Sequence, residues 1–173
     1  ADDDSVLSLG GVIGGLSTGC TPDTVNVFLE CALFDPARTA ATGRRLAIES
    51  DARYRFERGV DPESVFPGIE QATRLILELC GGEPGALTVA GQVPDWRRTI
   101  RLRPTRADHL GGVDVPLAEQ IRILEALGCA VAEGEDGQLH VVPPSWRGDI
   151  EGEADLVEEV LRIHGFDRIP AVP

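Results

Sequence analysis

Apolar residues in the first half of the chain form two strand-like runs and one helical stripe. Residues 6–9 and 25–34 are predicted to be strands, and the second run is nearly continuous in apolar residues, as in a buried strand. The Asp-Pro pairs at 35–36 and 61–62 are typical of helix starts. The Gly pair at 81–82 predicts the end of the second helix. Its apolar positions recur every three or four residues: Val65, Ile69, Ala72, Ile76 and Leu79.

The second half of the chain has the order strand, helix, helix, hairpin, helix. Leu117, Ile121, Leu124 and Leu127 recur at helical spacing, and Gly128 ends their run. The predicted elements are a strand at 99–103, helices near 105–110, from 116 and at 153–164, and a hairpin of residues 129–133 and 138–142.

These elements predict an α+β chain of two domains. Residues 91–96 contain a proline and are typical of a linker, so we place the domains at 1–93 and 94–173. The first is predicted to be a partial α/β domain with one more strand at 87–90. The second is similar in element order to a winged helix, which suggests nucleic-acid binding only by analogy.

The composition argues against several classes of protein, among them broad nucleic-acid binders, membrane-spanning proteins and zinc proteins. The net charge of −13, from 16 basic and 29 acidic residues, argues against a wide nucleic-acid-binding face. No apolar run is long enough to span a membrane, and no signal peptide is visible. The chain has no Met, which indicates a piece processed or excised from a longer protein. The four Cys and three His lack zinc-motif spacing, and free thiols in a reducing cytoplasm are expected.

Glu30 and two glycine pairs are candidate parts of a pocket. Glu30 lies inside the apolar run, where a buried carboxylate needs a partner. It is either an edge residue facing solvent or a pocket carboxylate that accepts a hydrogen bond from a ligand. The glycine pairs at 10–11 and 14–15 form either a plain turn or a place where the backbone approaches a ligand.

Two charged clusters each allow two interpretations. Five arginines lie between residues 44 and 58. They either form ion pairs with Glu49, Asp51 and Glu57 or form a positively charged pocket for a phosphate or an RNA end. The arginines are Arg44, Arg45, Arg53, Arg55 and Arg58. The last predicted helix carries acids on one face, which indicate either a solvated amphipathic helix or an oxygen-rich site for a hard cation. These acids are Asp155, Glu158 and Glu159, with Asp149 just before the helix.

Five segments, in the same order, resemble the beta subunit of bacterial phenylalanine–tRNA ligase. In the first domain, GVIGG at 11–15, NVFLECALFDP at 26–36 and RYRFERGVDP at 53–62 are similar to its editing domain. In the second, PSWRGDI at 144–150 and DLVEEVLRIHGFDRIP at 155–170 are similar to the small domain that follows editing. The resemblance covers essentially the whole chain.

The resemblance implies a cytoplasmic enzyme of two alpha and two beta subunits that joins phenylalanine to tRNA(Phe) using ATP and magnesium. Its catalytic site lies in the alpha subunit, whereas the beta subunit hydrolyses tyrosine wrongly attached to that tRNA. An apolar pocket rejects an added hydroxyl poorly, so a second sieve makes physical sense. The chain by itself is expected to be inactive in aminoacylation, and neither a membrane nor DNA is an expected partner.

The resemblance also assigns site residues. Glu30 would receive the tyrosine hydroxyl, and Gly14, Ser50 and Ala52 would line the pocket. The family often has Thr at the position of Ser50, and its editing site also uses a His upstream of these residues. The positions of Asp149, Asp155, Glu158 and Glu159 would bind a magnesium ion shared with the alpha subunit.

Two other functions compete with this one. A free-standing aminoacyl-tRNA editing protein would keep the first domain but would not need the second. A nucleic-acid-binding module would rest on the winged-helix-like order, which the net acidity and the acidic last helix oppose.

Overall fold

The chain divides into two units, unit 1 (Ala1–Pro94) and unit 2 (Asp95–Pro173), in a computed structural model that describes residues 1–171. Helices and small antiparallel sheets occur together, which confirms the predicted α+β class. None of the helices described is both long and apolar enough to cross a membrane. In chain order the elements are β1 (Ser8–Leu9), β2 (Ile13–Gly14), α1 (Pro36–Leu46), α2 (Asp51–Phe56), a 3₁₀ turn (Pro62–Ser64), α3 (Val65–Cys80), β3 (Ile100–Leu102), α4 (Arg106–Gly111), α5 (Leu117–Ala126), β4 (Ala130–Glu133), β5 (Leu139–Val142), α6 (Glu153–His164) and a second 3₁₀ turn (Phe166–Arg168).

Side-chain caps begin α1 and the 3₁₀ turn that precedes α3. The Asp35 carboxylate accepts a hydrogen bond of 2.7 Å from the backbone N–H of Arg38, with a proline at the first helical position, so the predicted start of α1 is confirmed. Asp61 accepts from the backbone N–H of Glu63 in the same way, at the 3₁₀ turn before α3. Gly81 follows the last turn of α3 with a φ of 72°, a conformation that glycine adopts without strain.

The strands predicted in unit 1 are mostly absent from the part of the chain that the structure describes. Residues 25–34 are extended but pair with no strand, and Val25 and Phe28 are 89% and 93% exposed, so the predicted buried strand is wrong here. A strand needs a hydrogen-bonded neighbour, and the described chain offers none beside this segment. Residues 87–90 likewise form no strand. The strand predicted at 6–9 is shortened to β1, which pairs with β2.

The apolar stripe of α3 is half-buried. The helix forms as its periodicity predicts, but none of its residues is buried. Ile69, Ala72 and Ile76 are partly covered, whereas Leu79 near its end is 73% exposed. Unit 1 therefore has less packing around its longest helix than the sequence pattern calls for.

The well-packed core lies in unit 2, around a three-stranded antiparallel sheet in the order β3–β5–β4. Val141 of the central strand lies opposite Ile100 of β3 and Val131 of β4. α6 packs against β3, α4 and α5, and the predicted order of strand, helix, helix, hairpin and helix is confirmed. The buried cluster consists of Ile100, Leu102, Ala107, Val113, Val115, Ile123, Leu124, Cys129, Leu139, Val141, Ile150, Leu156, Val157, Val160 and Leu161.

Two contacts fix the helices of unit 2. α4 and α6 approach closely at Gly111, because a Cβ there would lie 2.4 Å from Cδ1 of Leu161. The buried Gln120 side chain donates to the carbonyls of Pro104 and Val115, at 2.8 and 2.7 Å. The amide of Gln120 thereby satisfies two carbonyls that lie outside regular structure.

The side chain of Arg98 donates hydrogen bonds to the backbone of the loop between β5 and α6. Its Nε donates to the Ile150 carbonyl at 2.6 Å, and its Nη2 donates to the Arg147 carbonyl at 2.5 Å. Its Nη1 also donates to the Trp96 carbonyl at 3.3 Å. One guanidinium group therefore satisfies backbone carbonyls on both sides of the loop's charged residues.

Glu153 joins the start of α6 to the end of β3. Its carboxylate accepts hydrogen bonds from the backbone N–H of Arg103 at 2.9 Å and from the Nε and Nη2 of the same arginine at 2.9 and 2.5 Å. The Arg103 guanidinium is the main reason that the pKa of Glu153 falls to about 2. The carboxylate therefore stays ionised well into acid.

We expect Glu153→Gln to destabilise unit 2 by on the order of 1 kcal/mol at neutral pH. The loss relative to the wild-type protein disappears in acid. Folding lowers the pKa of Glu153 from its ordinary value of 4.5 to about 2, so the ion pair stabilises the fold above pH 4.5 and is lost as the pH falls toward 2. Urea unfolding followed by tryptophan fluorescence measures this, because Trp96 and Trp146 both lie in unit 2.

The control for this measurement is Glu125→Gln, which removes an exposed carboxylate of α5. Its effect on the free energy of unfolding should stay small at every pH. A Glu153→Gln loss that is equal at neutral and strongly acidic pH would contradict the predicted role of the ion pair.

Candidate functional site

Unit 1 contains a cavity of about 340 Å³, a volume within the range of small-molecule sites. It lies among the glycine-rich turn of β1 and β2, the end of the extended segment, and α2. Gly14, Glu30 and Ala52, which were predicted to share a pocket, all lie in its lining. The lining consists of Ser8, Leu9, Gly10, Gly11, Val12, Ile13, Gly14, Glu30, Cys31, Ala32, Phe34, Ala52, Phe56, Val60 and Ser64.

Two phenylalanines form the aromatic part of this lining. The ring centroids of Phe34 and Phe56 are 5.0 Å apart, with the planes at 85°, an edge-to-face contact. The glycine turn lies against this pair, because a Cβ on Gly10 would come within 2.7 Å of the Phe34 ring, and Gly11 has a φ of 69°. A Cβ on Gly14 would meet no atom within 4 Å, so space is open at this edge of the cavity.

Glu30 supplies a carboxylate to this otherwise largely apolar lining. Glu30 is solvent-exposed and also borders the cavity, although its segment is not an edge strand. Exposure to solvent and a place in the cavity lining therefore occur together. A carboxylate at the rim of an aromatic pocket can accept a hydrogen bond from a hydroxyl group of a ligand.

Ser50 lies beside the lining rather than in it. Its Oγ accepts a 3.0 Å hydrogen bond from the backbone N–H of Arg53 and so caps α2. The same hydroxyl donates to the carbonyl of Val12, a cavity residue that is almost fully buried. Ser50 therefore links the start of α2 to the glycine turn, and both elements contribute residues to the lining.

Two of the clustered arginines pair with Glu57. Arg53 Nε lies 3.0 Å from its Oε2, and Arg58 Nη1 lies 3.2 Å from its Oε1. Arg58 also stacks over the Tyr54 ring, 3.8 Å from the centroid. The structure thus has the ion pairs of the first interpretation for these two residues. A second, open cavity of about 430 Å³ is lined by Gly43, Arg44, Ala47, Glu49 and Arg53.

The acids predicted as metal ligands in unit 2 contact arginines and backbone. Arg147 places its Nε 2.8 Å from Asp149 Oδ1 and its Nη2 2.6 Å from Asp149 Oδ2. The same Nη2 lies 2.9 Å from Glu159 Oε1, whose partner oxygen Oε2 accepts from Arg162 at 2.5 Å. The carboxylates of the loop and of α6 are therefore joined through one guanidinium.

These contacts shift the pKa values of the charged groups in consistent directions. Hydrogen bonds from Arg147 hold the pKa of Asp149 below its ordinary value. Arg147, and to a lesser extent Arg162, also lower the pKa of Glu159 against the opposing effect of burial. Hydrogen bonds to Asp149, and to a lesser extent to Glu159, raise the pKa of Arg147 above its ordinary value. Arg147, Asp149 and Glu159 therefore remain ionised at neutral pH.

The other two predicted ligands face elsewhere. Asp155 accepts hydrogen bonds of 2.9 and 2.8 Å from the backbone N–H groups of Glu151 and Gly152, and so caps α6, while Glu158 is exposed. Among residues 1–171, no three His, Cys, Asp or Glu side chains are grouped to hold a metal ion. The four acids do not fit magnesium in this arrangement, and the shared magnesium site stays a prediction.

Sequence reasoning missed three contributors to these sites. Phe34 and Phe56 were visible only as apolar residues of two resembling segments, because their contact depends on the fold. Arg147 had a detectable signal: it stands two residues before Asp149 in a region chosen for its acids. A cation so close to a cluster of carboxylates is a candidate partner for them.

The comparisons with known proteins agree with this division of the chain. Residues 1–81 match the B3/4 domain family, and residues 100–166 match the tRNA synthetase B5 domain family. The whole chain is similar to phenylalanine–tRNA ligase beta subunits. It is 61% identical to that of Rhodospirillum rubrum, 60% to that of Paramagnetospirillum magneticum and 51% to that of Brucella abortus, over 173 residues in each case.

These alignments cover 100% of this chain but only 22%, 22% and 21% of the three relatives. The chain thus spans about a fifth of the length of the curated relatives that it matches. Both domain matches occur in the order of the two units. The chain therefore belongs to the phenylalanine–tRNA ligase beta-subunit family, of which it carries the region with the B3/4 and B5 domains.

Proposed function

We propose that unit 1 contributes the amino-acid pocket that hydrolytically edits tyrosine attached to tRNA(Phe). The observation that carries this proposal is the shared cavity of Gly14, Glu30 and Ala52. The parent protein would be a cytoplasmic synthetase in which this beta subunit and an alpha subunit together attach phenylalanine to tRNA(Phe) using ATP. The names of the relatives support that larger role.

The cavity has the chemistry that a tyrosine side chain needs. Phe34 and Phe56 offer an apolar, aromatic surface, and Glu30 offers an acceptor at the rim. Tyrosine would place its ring against the phenylalanines and donate its hydroxyl to Glu30. Phenylalanine would leave that carboxylate without the hydrogen bond, and a site built around a hydroxyl discriminates strongly against an analogue that lacks it.

The contacts around the cavity give its other residues separate roles. Ser50 holds α2 against the glycine turn through the Val12 carbonyl, so its hydroxyl would keep the two parts of the lining in register. Gly14 would leave room for the substrate, since open space surrounds the position of a Cβ. Ala52, at the start of α2, would contribute a small apolar surface.

Unit 2 would contribute to assembly with the alpha subunit. It has a packed core of its own, yet it exposes large apolar side chains, among them Trp146 and Phe166. Exposed aromatic residues beside charged ones are typical of protein–protein contacts. The B5 match counts against a free-standing editing protein, and the net charge of −13 counts against a nucleic-acid-binding module.

Glu30→Ala in the full beta subunit, assembled with its alpha subunit, should slow deacylation of tyrosyl-tRNA(Phe) by about tenfold to a hundredfold. A hydrogen bond to a charged acceptor is worth about 1.5–3 kcal/mol, which corresponds to this factor. Single-turnover deacylation measures the effect. Phenylalanine charging should remain near normal, because the proposed aminoacylation site lies in the alpha subunit.

The matched control is Glu70→Gln, which changes an exposed carboxylate on α3 outside the cavity lining. It should leave deacylation unaltered. If Glu30→Ala and the control edit tyrosyl-tRNA(Phe) equally fast, Glu30 does not bind the hydroxyl and the pocket assignment fails.

The 173-residue chain alone should not charge tRNA. Its sequence contains no nucleotide-binding motif, and the proposed aminoacylation site belongs to the alpha subunit. Incubation with phenylalanine, ATP, magnesium and tRNA(Phe) should therefore yield no aminoacyl-tRNA, whereas the assembled synthetase serves as the positive control. Turnover by the chain alone would overturn the division of labour proposed for the two subunits.

A further inference from the structure

The cation among the acids of unit 2 is an arginine. Arg147 Nη2 lies 2.6 Å from Asp149 Oδ2 and 2.9 Å from Glu159 Oε1, so one nitrogen joins a loop carboxylate to a helix carboxylate. Its Nε adds a 2.8 Å contact with Asp149 Oδ1. We propose that Arg147 is the resident counter-cation of this network, and that a divalent cation binds Asp149 and Glu159 only by displacing it.

The backbone that carries Arg147 is held without a metal ion. Arg98 donates to the carbonyl of Arg147 at 2.5 Å and to the carbonyl of Ile150 at 2.6 Å, on either side of Asp149. The loop is therefore fixed beside α6 by contacts that involve no carboxylate. This fixed backbone keeps the guanidinium of Arg147 within reach of both acids.

Distance and charge make Arg147 and a divalent cation exclude each other. Magnesium takes about six oxygens at roughly 2.0–2.1 Å, and three oxygens of Asp149 and Glu159 already receive guanidinium N–H groups. A second cation at the same oxygens would be repelled by the first. The remaining oxygen of Glu159 is occupied by Arg162, and Glu159 is only 8% exposed.

Removing the guanidinium of Arg147 should make magnesium binding to Asp149 and Glu159 favourable. Without Arg147, Asp149 and the largely buried Glu159 face each other with less neutralising charge, a costly arrangement that an added cation relieves. Magnesium binding is thereby coupled to the position of one side chain. The free chain favours the ion pairs, and any metal binding requires that Arg147 leave.

Calorimetric titration of magnesium into this chain tests the proposal. The wild-type protein should show no saturable binding at millimolar magnesium, whereas Arg147→Met should bind it. We expect the affinity to rise by about tenfold to a hundredfold, the effect of losing a competing hydrogen bond to a charged group. Adding Asp149→Asn to Arg147→Met should abolish the gain, because it removes a proposed ligand.

Arg162→Met is the matched control, since Arg162 contacts Glu159 through a more exposed side chain and does not contact Asp149. It should leave magnesium binding as weak as in the wild-type protein. Equal magnesium affinity in the wild type and Arg147→Met would overturn the proposal. So would the absence of binding in an Arg147→Met protein whose circular dichroism shows that it is folded.

If Arg147→Met does not fold, nuclear magnetic resonance of the wild-type protein tests whether magnesium and Arg147 compete for the same carboxylates. The Nε–H signal of Arg147 is identified as the arginine signal that Arg147→Lys lacks. Magnesium addition should leave this signal unchanged and give no binding heat. Saturable magnesium binding to the wild type, with the Arg147 signal unmoved, would show that the two cations do not compete and would overturn the proposal.

Discussion

The charged network of Arg147, Asp149 and Glu159 depends on the hydrogen bonds that Arg98 donates to two backbone carbonyls. The loop between β5 and α6 lacks the regular hydrogen bonds of a strand or helix, so its carbonyls need other donors. Arg98 supplies them at Arg147 and Ile150. The position of Asp149, the reach of Arg147 to Glu159 and the entry into α6 all follow from that fixed loop.

Unit 2 was predictable from its sequence because its signals are local. Helical spacing in α5 and α6 and the turn between β4 and β5 each specify an element without reference to distant residues. Residues 25–34 carried an equally strong apolar signal, yet they pair with no strand in the described chain. Pairing is a non-local property, so a strand pattern predicts extended backbone better than it predicts a partner or burial.

Three residues of the cavity lining in unit 1 were predicted from the sequence, whereas its two phenylalanines and the contact of Ser50 were not. Resemblance to the family placed Gly14, Glu30 and Ala52 together, and the structure brings them to one lining. It could not give Ser50 its contact with the Val12 carbonyl, because that bond joins residues 38 positions apart. The same holds for the edge-to-face contact of Phe34 and Phe56, which come from different segments of the chain and pack beside the glycine turn.

The acids of α6 illustrate how a spacing argument can leave the identity of a cation open. Positions separated by three and four residues share a helix face, and this spacing suits a metal ion, a solvated surface or an ion-pair network equally well. What decides among them is the nearest positive charge. Arg147 is closer to Asp149 in sequence than any residue of α6, and the Arg98-held loop points it at both carboxylates. Clustered carboxylates therefore indicate a metal ion only where no arginine or lysine already neutralises them.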